Sequence, residues 1–302
     1  MINFILQQIV NAIGYGCILG LLGIGYTIIY GVAGLINFAH GEIFMIASIV
    51  AYLVGYLMQA SFIYASIVAI ITALCCGLLL NYLIYQPCIK RRSSVLTIFI
   101  ASFGASVFLR FLLLMLLTDR RRPFPIPLVF EHVFSVGELR VPLKDVITLG
   151  ISIVVVIITV YIVKYTRTGI AMRAFAFDKE TAQVMGISLS RITTIAFVLG
   201  GSLAGVAAIV YGLTFGVVYP TMGFLPGLYG FMAAVIGGIG NVLGGFIGGI
   251  LLGFAEIFTV AFFPPALSPL RPLLVWVILI LIMLFKPTGL FKPNIKFEEL
   301  RG

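Results

Sequence analysis

Charged residues are scarce in this chain and are missing from long stretches of it. Only 10% of the 302 residues are Asp, Glu, Lys or Arg, against about 25% in a typical soluble domain. None occurs in residues 1–41, 43–89, 146–163 or 192–255. An ionised side chain at the centre of a spanning helix costs roughly 2.5–3.5 kcal/mol, and a span needs about 20 apolar residues. This distribution excludes a soluble globular protein and predicts a membrane protein.

The sequence also lacks the signatures of nucleotide, metal and catalytic sites. No G-x-x-x-x-G-K-[ST] occurs, and the glycine-rich run 237–253 does not match G-x-G-x-x-G. The cysteines form no C-x-x-C and lie in or beside apolar runs, which predicts inert thiols and no metal site. The net charge of +9 is expected in short loops that orient the spans, not on a nucleic-acid surface.

Apolar stretches alternate with polar ones along the chain. They predict spans at about 6–30, 43–58, 62–85, 95–117, 146–163, 192–215 and 273–285. A glycine-rich run at 227–263 holds either two full spans or a re-entrant pair of half-helices. The first span has no basic segment before it and no clear cleavage site, so it is expected to be retained. We expect an all-α polytopic transmembrane bundle of eight to ten hydrophobic elements, with residues 1–302 forming one domain.

Basic segments predict which ends of the spans face the cytoplasm. Residues 90–92 are all basic, 164–191 carry five basic and two acidic residues, and the tail 286–302 carries four basic and two acidic residues. Placing all three inside puts the N-terminus outside and the C-terminus in the cytoplasm. The basic run 120–122 then falls outside, and its role stays open.

Glycines recur at four-residue intervals near the C-terminal end. Small residues on one helix face let two helices pack closely in lipid. The residues predicted to pack in this way are Gly240, Gly244, Gly245, Gly248, Gly249 and Gly253. Alternatively, residues 237–244 interrupt a helix near the middle of the membrane and expose Asn241 to a transport pathway.

A polar hexapeptide, Asn-Phe-Ala-His-Gly-Glu, separates the first two spans at residues 37–42. It is either a cytoplasmic turn, with Glu42 at the start of the next helix, or a pathway or gating element that includes Asn37, His40 and Glu42. Arg110, Glu256 and Arg271 are isolated charges in or beside spans. Such residues are functional by default, and their roles stay open here.

Residues 164–191 form the largest polar segment on the predicted cytoplasmic side before the tail. Apolar residues within it follow helical spacing, and Gly169 and Gly186 mark its ends. A short amphipathic helix in this place either lies on the membrane surface or docks in a groove of a partner protein.

Three of these motifs together resemble those of one known protein family. Residues 26–42, 169–186 and 237–245 resemble, in order and spacing, the LivH-type permeases of branched-chain amino acid ABC importers. That resemblance implies a prokaryotic plasma (inner) membrane subunit that moves leucine, isoleucine and valine by alternating access. It further implies a second homologous permease, two cytoplasmic ATPase subunits that bind ATP and Mg²⁺, and an extracytoplasmic solute-binding protein. The chain itself would be neither an enzyme nor a cofactor-binding protein.

The resemblance also assigns residues and leaves alternatives. It makes 164–191 the loop that couples the spans to the ATPase. The implied coupling residues are Arg167, Gly169, Arg173, Phe175, Asp178, Met185 and Gly186. Permeases for urea and short-chain amides are very similar, so they are the first alternative. An ion-coupled carrier is the second, and a channel or an intramembrane enzyme is disfavoured because neither a filter motif nor a nucleophile with its base is present.

Overall fold

The computed structural model describes residues 2–34, 36–91, 93–136, 139–264 and 271–291. The described residues do not include Arg92, the side chain of Arg271 or the basic tail that follows Phe291. The helices are α1 Ile2–Ala33, α2 His40–Tyr52, α3 Phe62–Leu80, α4 Gln86–Lys90, α5 Val95–Leu117, α6 Leu143–Tyr165, α7 Arg167–Phe177, α8 Lys179–Val184, α9 Leu189–Phe215, α10 Phe224–Gly237, α11 Val242–Phe262 and α12 Arg271–Phe285. Wider π-helical turns, Leu53–Leu57 and Asn81–Tyr85, extend α2 and α3.

Seven of the helical segments in the described part of the chain are long and apolar enough to cross a membrane. α10 and the apolar part of α12 are shorter. The nine apolar elements confirm the predicted all-α bundle of eight to ten. The run 227–263 follows neither proposed alternative, because it forms one short helix, α10, followed by one full-length helix, α11.

The bundle is organised around α1 and α9. In their most apolar 18-residue windows α1 is 89% buried and α9 67%, whereas α3, α5 and α6 expose rows of large apolar side chains such as Ile67, Phe108 and Ile157. Exposing these apolar faces to water would cost free energy, whereas contact with lipid does not. The exposed rows therefore mark the lipid-facing or subunit-facing surface of a membrane domain.

One end of the bundle is defined by the C-terminus of α1 together with α7 and α8, and we call it the coupling end. The opposite end carries two small antiparallel strand pairs. β1 Arg122–Pro123 pairs with β4 Val217–Val218, and β2 Val133–Val136 pairs with β3 Leu139–Pro142. Arg122 donates hydrogen bonds to the Leu117 and Thr118 carbonyls, so part of the unassigned basic run closes the C-terminus of α5.

Helices α2 and α10 both begin inside the bundle. His40 packs against Gly25, where an added Cβ would meet the imidazole. Gly25 lies eight residues before the end of α1 at Ala33, a depth of roughly 12 Å at 1.5 Å per residue. Gly41 touches the first turn of α10, because a Cβ on it would lie 2.8 Å from the Gly227 Cα. The chain after α1 therefore folds back into the bundle before α2 starts.

Candidate functional site

Asn37 shapes the connection that leads into α2. Its Oδ1 accepts hydrogen bonds from the Ala39 N–H at 3.1 Å and from the Tyr85 hydroxyl at 3.1 Å. Asn37, His40 and Glu42 are all buried. The segment is packed within the bundle, below the level at which α1 ends, and Glu42 lies in the first turn of α2, as the turn interpretation expected.

Glu42 forms an ion pair with Arg110 on α5. Its Oε1 accepts from Arg110 Nη2 at 2.7 Å, from Arg110 Nε at 3.2 Å and from the Ser106 hydroxyl at 3.1 Å. Arg110 lies seven residues before the end of α5 at Leu117, roughly 10 Å inside the helix end. In the sequence Arg110 is an isolated charge, and no local spacing pairs it with Glu42, which lies 68 residues away.

The second carboxylate oxygen of Glu42, Oε2, lacks the donors that Oε1 has. It is buried and has no hydrogen-bond partner among the described residues. It lies 2.8 Å from the point where a Cβ on Gly223 would be, so it faces the start of α10. A buried acceptor without a donor is costly, so this oxygen needs a physical explanation such as a bound ligand, ion or water.

His40 is held differently from Glu42. Its ring contacts the Tyr26 ring at a centroid distance of 4.7 Å and fills the space left by Gly25. Neither imidazole nitrogen has a hydrogen-bond partner within the described part of the chain. His40 thus packs α2 against α1 and does not orient the carboxylate as the base of a catalytic pair would.

An aromatic cleft of about 320 Å³ opens beside the ion pair, between α1, α2, α5 and α10. Tyr26, Glu42 and Ser106 supply its polar side chains. Its other walls are Phe38, Phe103, Gly223, Phe224, Gly227, Leu228 and Phe231. The Arg110 guanidinium covers the Phe224 ring at 4.3 Å, so the same arginine touches both α2 and α10. Such a set of groups can bind and orient a small solute.

Asn241 lies directly before the first residue of α11. Its Oδ1 accepts from the Gly244 N–H at 2.9 Å and caps α11. The break it belongs to lies beside Gly31 near the end of α1 and beside Met172 of α7. The predicted break at residues 237–244 therefore lies at the coupling end, and its role in a transport pathway stays a prediction. The starts of α2 and α10 lie inside the bundle.

Five of the six predicted packing glycines lie on α11, on two faces. Gly245, Gly249 and Gly253 contact α1, whereas Gly244 and Gly248 contact α10, in each case so closely that a Cβ would meet backbone atoms. Gly240 lies outside the helix, in the turn between α10 and α11, with a φ of +92° that favours glycine.

The coupling segment, residues 164–191, folds as the two helices α7 and α8. Arg173 donates two hydrogen bonds of 2.8 Å to the Val163 and Lys164 carbonyls, which closes the C-terminus of α6. Gly169 packs on the Ile162 and Val163 carbonyls, and Phe175 is fully buried. These three predicted coupling residues fix the segment to the bundle, and Phe175 is not part of its exposed surface.

Asp178 separates the two helices and caps α8. Its carboxylate accepts from the Thr181 hydroxyl and from the Thr181 and Glu180 N–H groups. These hydrogen bonds lower the pKa of the exposed Asp178 carboxyl. At the far end, Gly186 has a φ of +85° and terminates the segment. Arg167 begins α7 directly after its cap, Thr166.

The exposed surface of the coupling segment is apolar at its tip. Met185, which sequence analysis named, is 77% exposed, and its neighbour Val184, which it missed, is 86% exposed. Phe177 is also exposed. Adjacent exposed apolar side chains at a polar end of a membrane protein fit either contact with the membrane surface or contact with a partner protein.

Lys179, at the start of α8, connects the coupling segment to α1. Its Nζ donates to the Ala33 carbonyl at 3.1 Å, across 146 residues of sequence. Burial lowers the pKa of this lysine. Ala33 is the last residue of α1 and precedes the connection that enters the bundle. This hydrogen bond therefore links the start of α8 to the end of α1, close in sequence to the segment that carries Asn37 and Glu42.

Glu256 lies in a second cavity, toward the opposite end of the bundle. This cavity of about 1000 Å³ is also lined by Tyr15, Tyr211, Tyr219 and Tyr229, among others. Glu256 itself is buried on α11. The cavity and the aromatic cleft are separated by the first two turns of α10, whose residues line both.

Comparisons with known proteins agree along the whole chain. The family model for "Branched-chain amino acid transport system / permease component" matches residues 8–285. The high-affinity branched-chain amino acid transport system permease protein LivH of Escherichia coli K12 is 33% identical over 311 residues, which cover 97% of each chain. The permease protein BraD of Pseudomonas aeruginosa is 33% identical over 307 residues, 96% of this chain and 97% of BraD.

A solved structure shares the fold. PsaBC from Streptococcus pneumoniae in complex with Fab aligns with a TM-score of 0.50 and 16% identity, over 93% of this chain and 91% of that one. The family model spans residues 8–285, from within α1 to the end of α12. The chain therefore belongs to the family of branched-chain amino acid transport system permease components.

Proposed function

We propose that this chain is the membrane-spanning subunit of an ABC importer for leucine, isoleucine and valine. The observation that carries the proposal is the full-length similarity to LivH and BraD, whose names state this transport. The fold supports it with a partner-facing segment at one end and an aromatic, charge-bearing cleft inside the bundle. Solute passage by alternating access requires such an internal site, with access that changes from one side to the other.

The proposed partners follow from the same family. A second permease, two ATPase subunits that bind ATP and Mg²⁺, and an extracytoplasmic binding protein complete the importer. The coupling end is cytoplasmic in this proposal, which places the N-terminus outside and the C-terminus inside. The basic residues of the coupling segment and Lys90 and Arg91 at the end of α4 support this orientation.

Purification and transport test the proposal together. The tagged chain is isolated from its native membranes in mild detergent, and the proteins that accompany it are identified by mass spectrometry. We expect a second permease and ATPase subunits. Proteoliposomes of that complex with its binding protein should accumulate leucine, and not urea, only when ATP is present. A chain that purifies alone, or urea uptake in place of leucine uptake, would contradict the proposal.

A first prediction concerns the tip of the coupling segment. Met185→Asp is expected to lower the amount of ATPase recovered with the permease several-fold, because docking would have to desolvate the new carboxylate. Quantitative pull-down measures this. Leu128→Asp is the matched control, since Leu128 is 83% exposed but lies at the opposite end. Equal ATPase recovery with both variants would show that the α8 tip is not a docking surface.

A second prediction concerns transmission through Lys179. Lys179→Met removes the hydrogen bond to the Ala33 carbonyl and keeps most of the side-chain volume. We expect normal ATPase recovery but several-fold less leucine taken up per ATP hydrolysed, because α8 no longer moves the end of α1. Lys164→Met is the control, because it makes the same substitution at a lysine whose ammonium lies over the Tyr165 ring of its own helix. An unchanged uptake-to-hydrolysis ratio in Lys179→Met would exclude this connection as a coupling path.

A further inference from the structure

The aromatic cleft combines features that together select a particular kind of solute. Glu42 is 1% exposed, yet one of its carboxylate oxygens faces the cleft wall without a donor among the described residues. Ser106 and Arg110 both bind the other oxygen, so they hold the carboxylate in place and leave Oε2 as an acceptor. An ammonium group offers three donors and matches such an acceptor.

The start of α10 supplies the opposite polarity in the same cleft. Gly223 and Phe224 begin this 14-residue helix and line the cleft. The first amides of a helix have no acceptor within it, and the helix dipole adds partial positive charge there. A carboxylate is the ligand group favoured at such a helix start. Glu42 Oε2 lies next to this helix start, at Gly223, so the negative and positive groups are neighbours.

The remaining surface of the cleft is apolar. Phe38, Phe103, Leu228 and Phe231 form it. Glu42 and Arg110 neutralise each other, so the site as a whole favours a ligand without net charge that carries both signs.

We propose that the cleft is a binding site for a zwitterionic aliphatic amino acid, with its ammonium on Glu42 Oε2, its carboxylate at the start of α10 and its side chain among the phenylalanines. Arg110 is a positioning residue, because it acts through Glu42 and through Phe224. The site deepens the proposed function and rests on it in taking the solute to be an aliphatic amino acid. It gives the permease its own means of selecting the solute inside the membrane.

A cysteine protection experiment tests the site directly. Phe103→Cys is introduced into a chain whose four cysteines are replaced by serine, and the purified complex is treated with a maleimide. Leucine is expected to slow labelling about tenfold when nine-tenths of the sites are filled, because only empty sites react. Phe111→Cys, on the same helix and exposed but not a lining residue of the cleft, is the matched control and should show no protection.

Analogues and variants identify the groups involved. Isocaproate lacks the ammonium and isoamylamine lacks the carboxylate, so neither should protect the Phe103→Cys variant at the leucine concentration that does. Adding Glu42→Gln to that variant should remove protection by leucine. Should the combined variant fail to fold, Leu228→Trp, which fills the cleft and leaves the ion pair intact, should also abolish protection. Equal protection by all three compounds would overturn the assignment of the polar groups.

The outcomes separate this inference from the proposed function. If the unsubstituted complex transports leucine but leucine protects neither introduced cysteine, the cleft is not the site and the importer assignment stands. If the complex contains no ATPase and does not transport leucine, the importer assignment fails, and protection of the Phe103→Cys variant still reports on the cleft. Equal protection of the Phe103→Cys and Phe111→Cys variants would show a general change in the helix and would refute the site.

Discussion

Gly249→Ala should sharply reduce the yield and thermal stability of the folded permease. Gly249 packs directly on the backbone of Gly20, so an added methyl group meets main-chain atoms that cannot rotate away. Forcing extra atoms into a close-packed contact typically costs about 1–3 kcal/mol, and here α1 and α11 would have to separate along their length. Size-exclusion chromatography and a thermal unfolding curve in detergent measure the effect.

Gly150→Ala is the matched control for this effect. Gly150 also lies within a long apolar helix, α6, but a Cβ there has nothing within 4 Å. Both substitutions make the same change in helix propensity, so a difference between them reports the neighbouring helix alone. Equal stability of the two variants would mean that α1 and α11 are further apart than the structure places them.

Loss of Arg110 should have a comparably large effect through the buried charge that it leaves behind. In Arg110→Met the Glu42 carboxylate keeps the Ser106 hydrogen bond but loses its counter-ion. Removing one partner of a buried ion pair typically costs about 3–5 kcal/mol. The Arg110 side chain is 20% exposed whereas that of Glu42 is 1% exposed, so the deeper charge is the one left unpaired. We expect a large fall in melting temperature.

The double variant Glu42→Gln with Arg110→Met distinguishes charge from packing. It removes both charges and keeps similar side-chain volumes, so it should regain most of the stability that Arg110→Met loses. A double variant as unstable as Arg110→Met would show that the arginine acts by packing on Phe224, not by neutralising Glu42. Both variants are expected to lose leucine protection of the cleft.

The helices were predictable because charge is expensive in lipid, and the distribution of charge therefore outlines the spans directly. The predicted span 95–117 matches α5 to the residue. The start of α2 was not predictable in this way. His40 and Glu42 are polar, and their burial depends on Gly25, Arg110 and Ser106, which are distant in sequence and follow no periodicity that includes them.

The glycine run shows the same limit of prediction from sequence, here for single residues. Four-residue spacing correctly indicated close packing by Gly245 and Gly249, since backbone contact needs the absence of a Cβ at regular helical intervals. Spacing alone did not separate Gly240, which occupies a turn with positive φ. The capping of α11 by Asn241 was not predicted, because an asparagine before a helix suits both a cap and a polar pathway position, and only the fold shows the cap.

The packing of α11 on α1 has a consequence for how the chain matures. Gly20 and Gly249 are separated by about 230 residues, which a ribosome adds in roughly 10–50 s at about 5–20 residues per second. During that time the glycine face of α1 has no α11 to cover it, and lipid or a neighbouring helix must occupy it. The central helix α1 is thus the first to be made and among the last to be enclosed. A chain that terminates before α11 would leave the glycine face of α1 uncovered and would be a substrate for insertases and proteases.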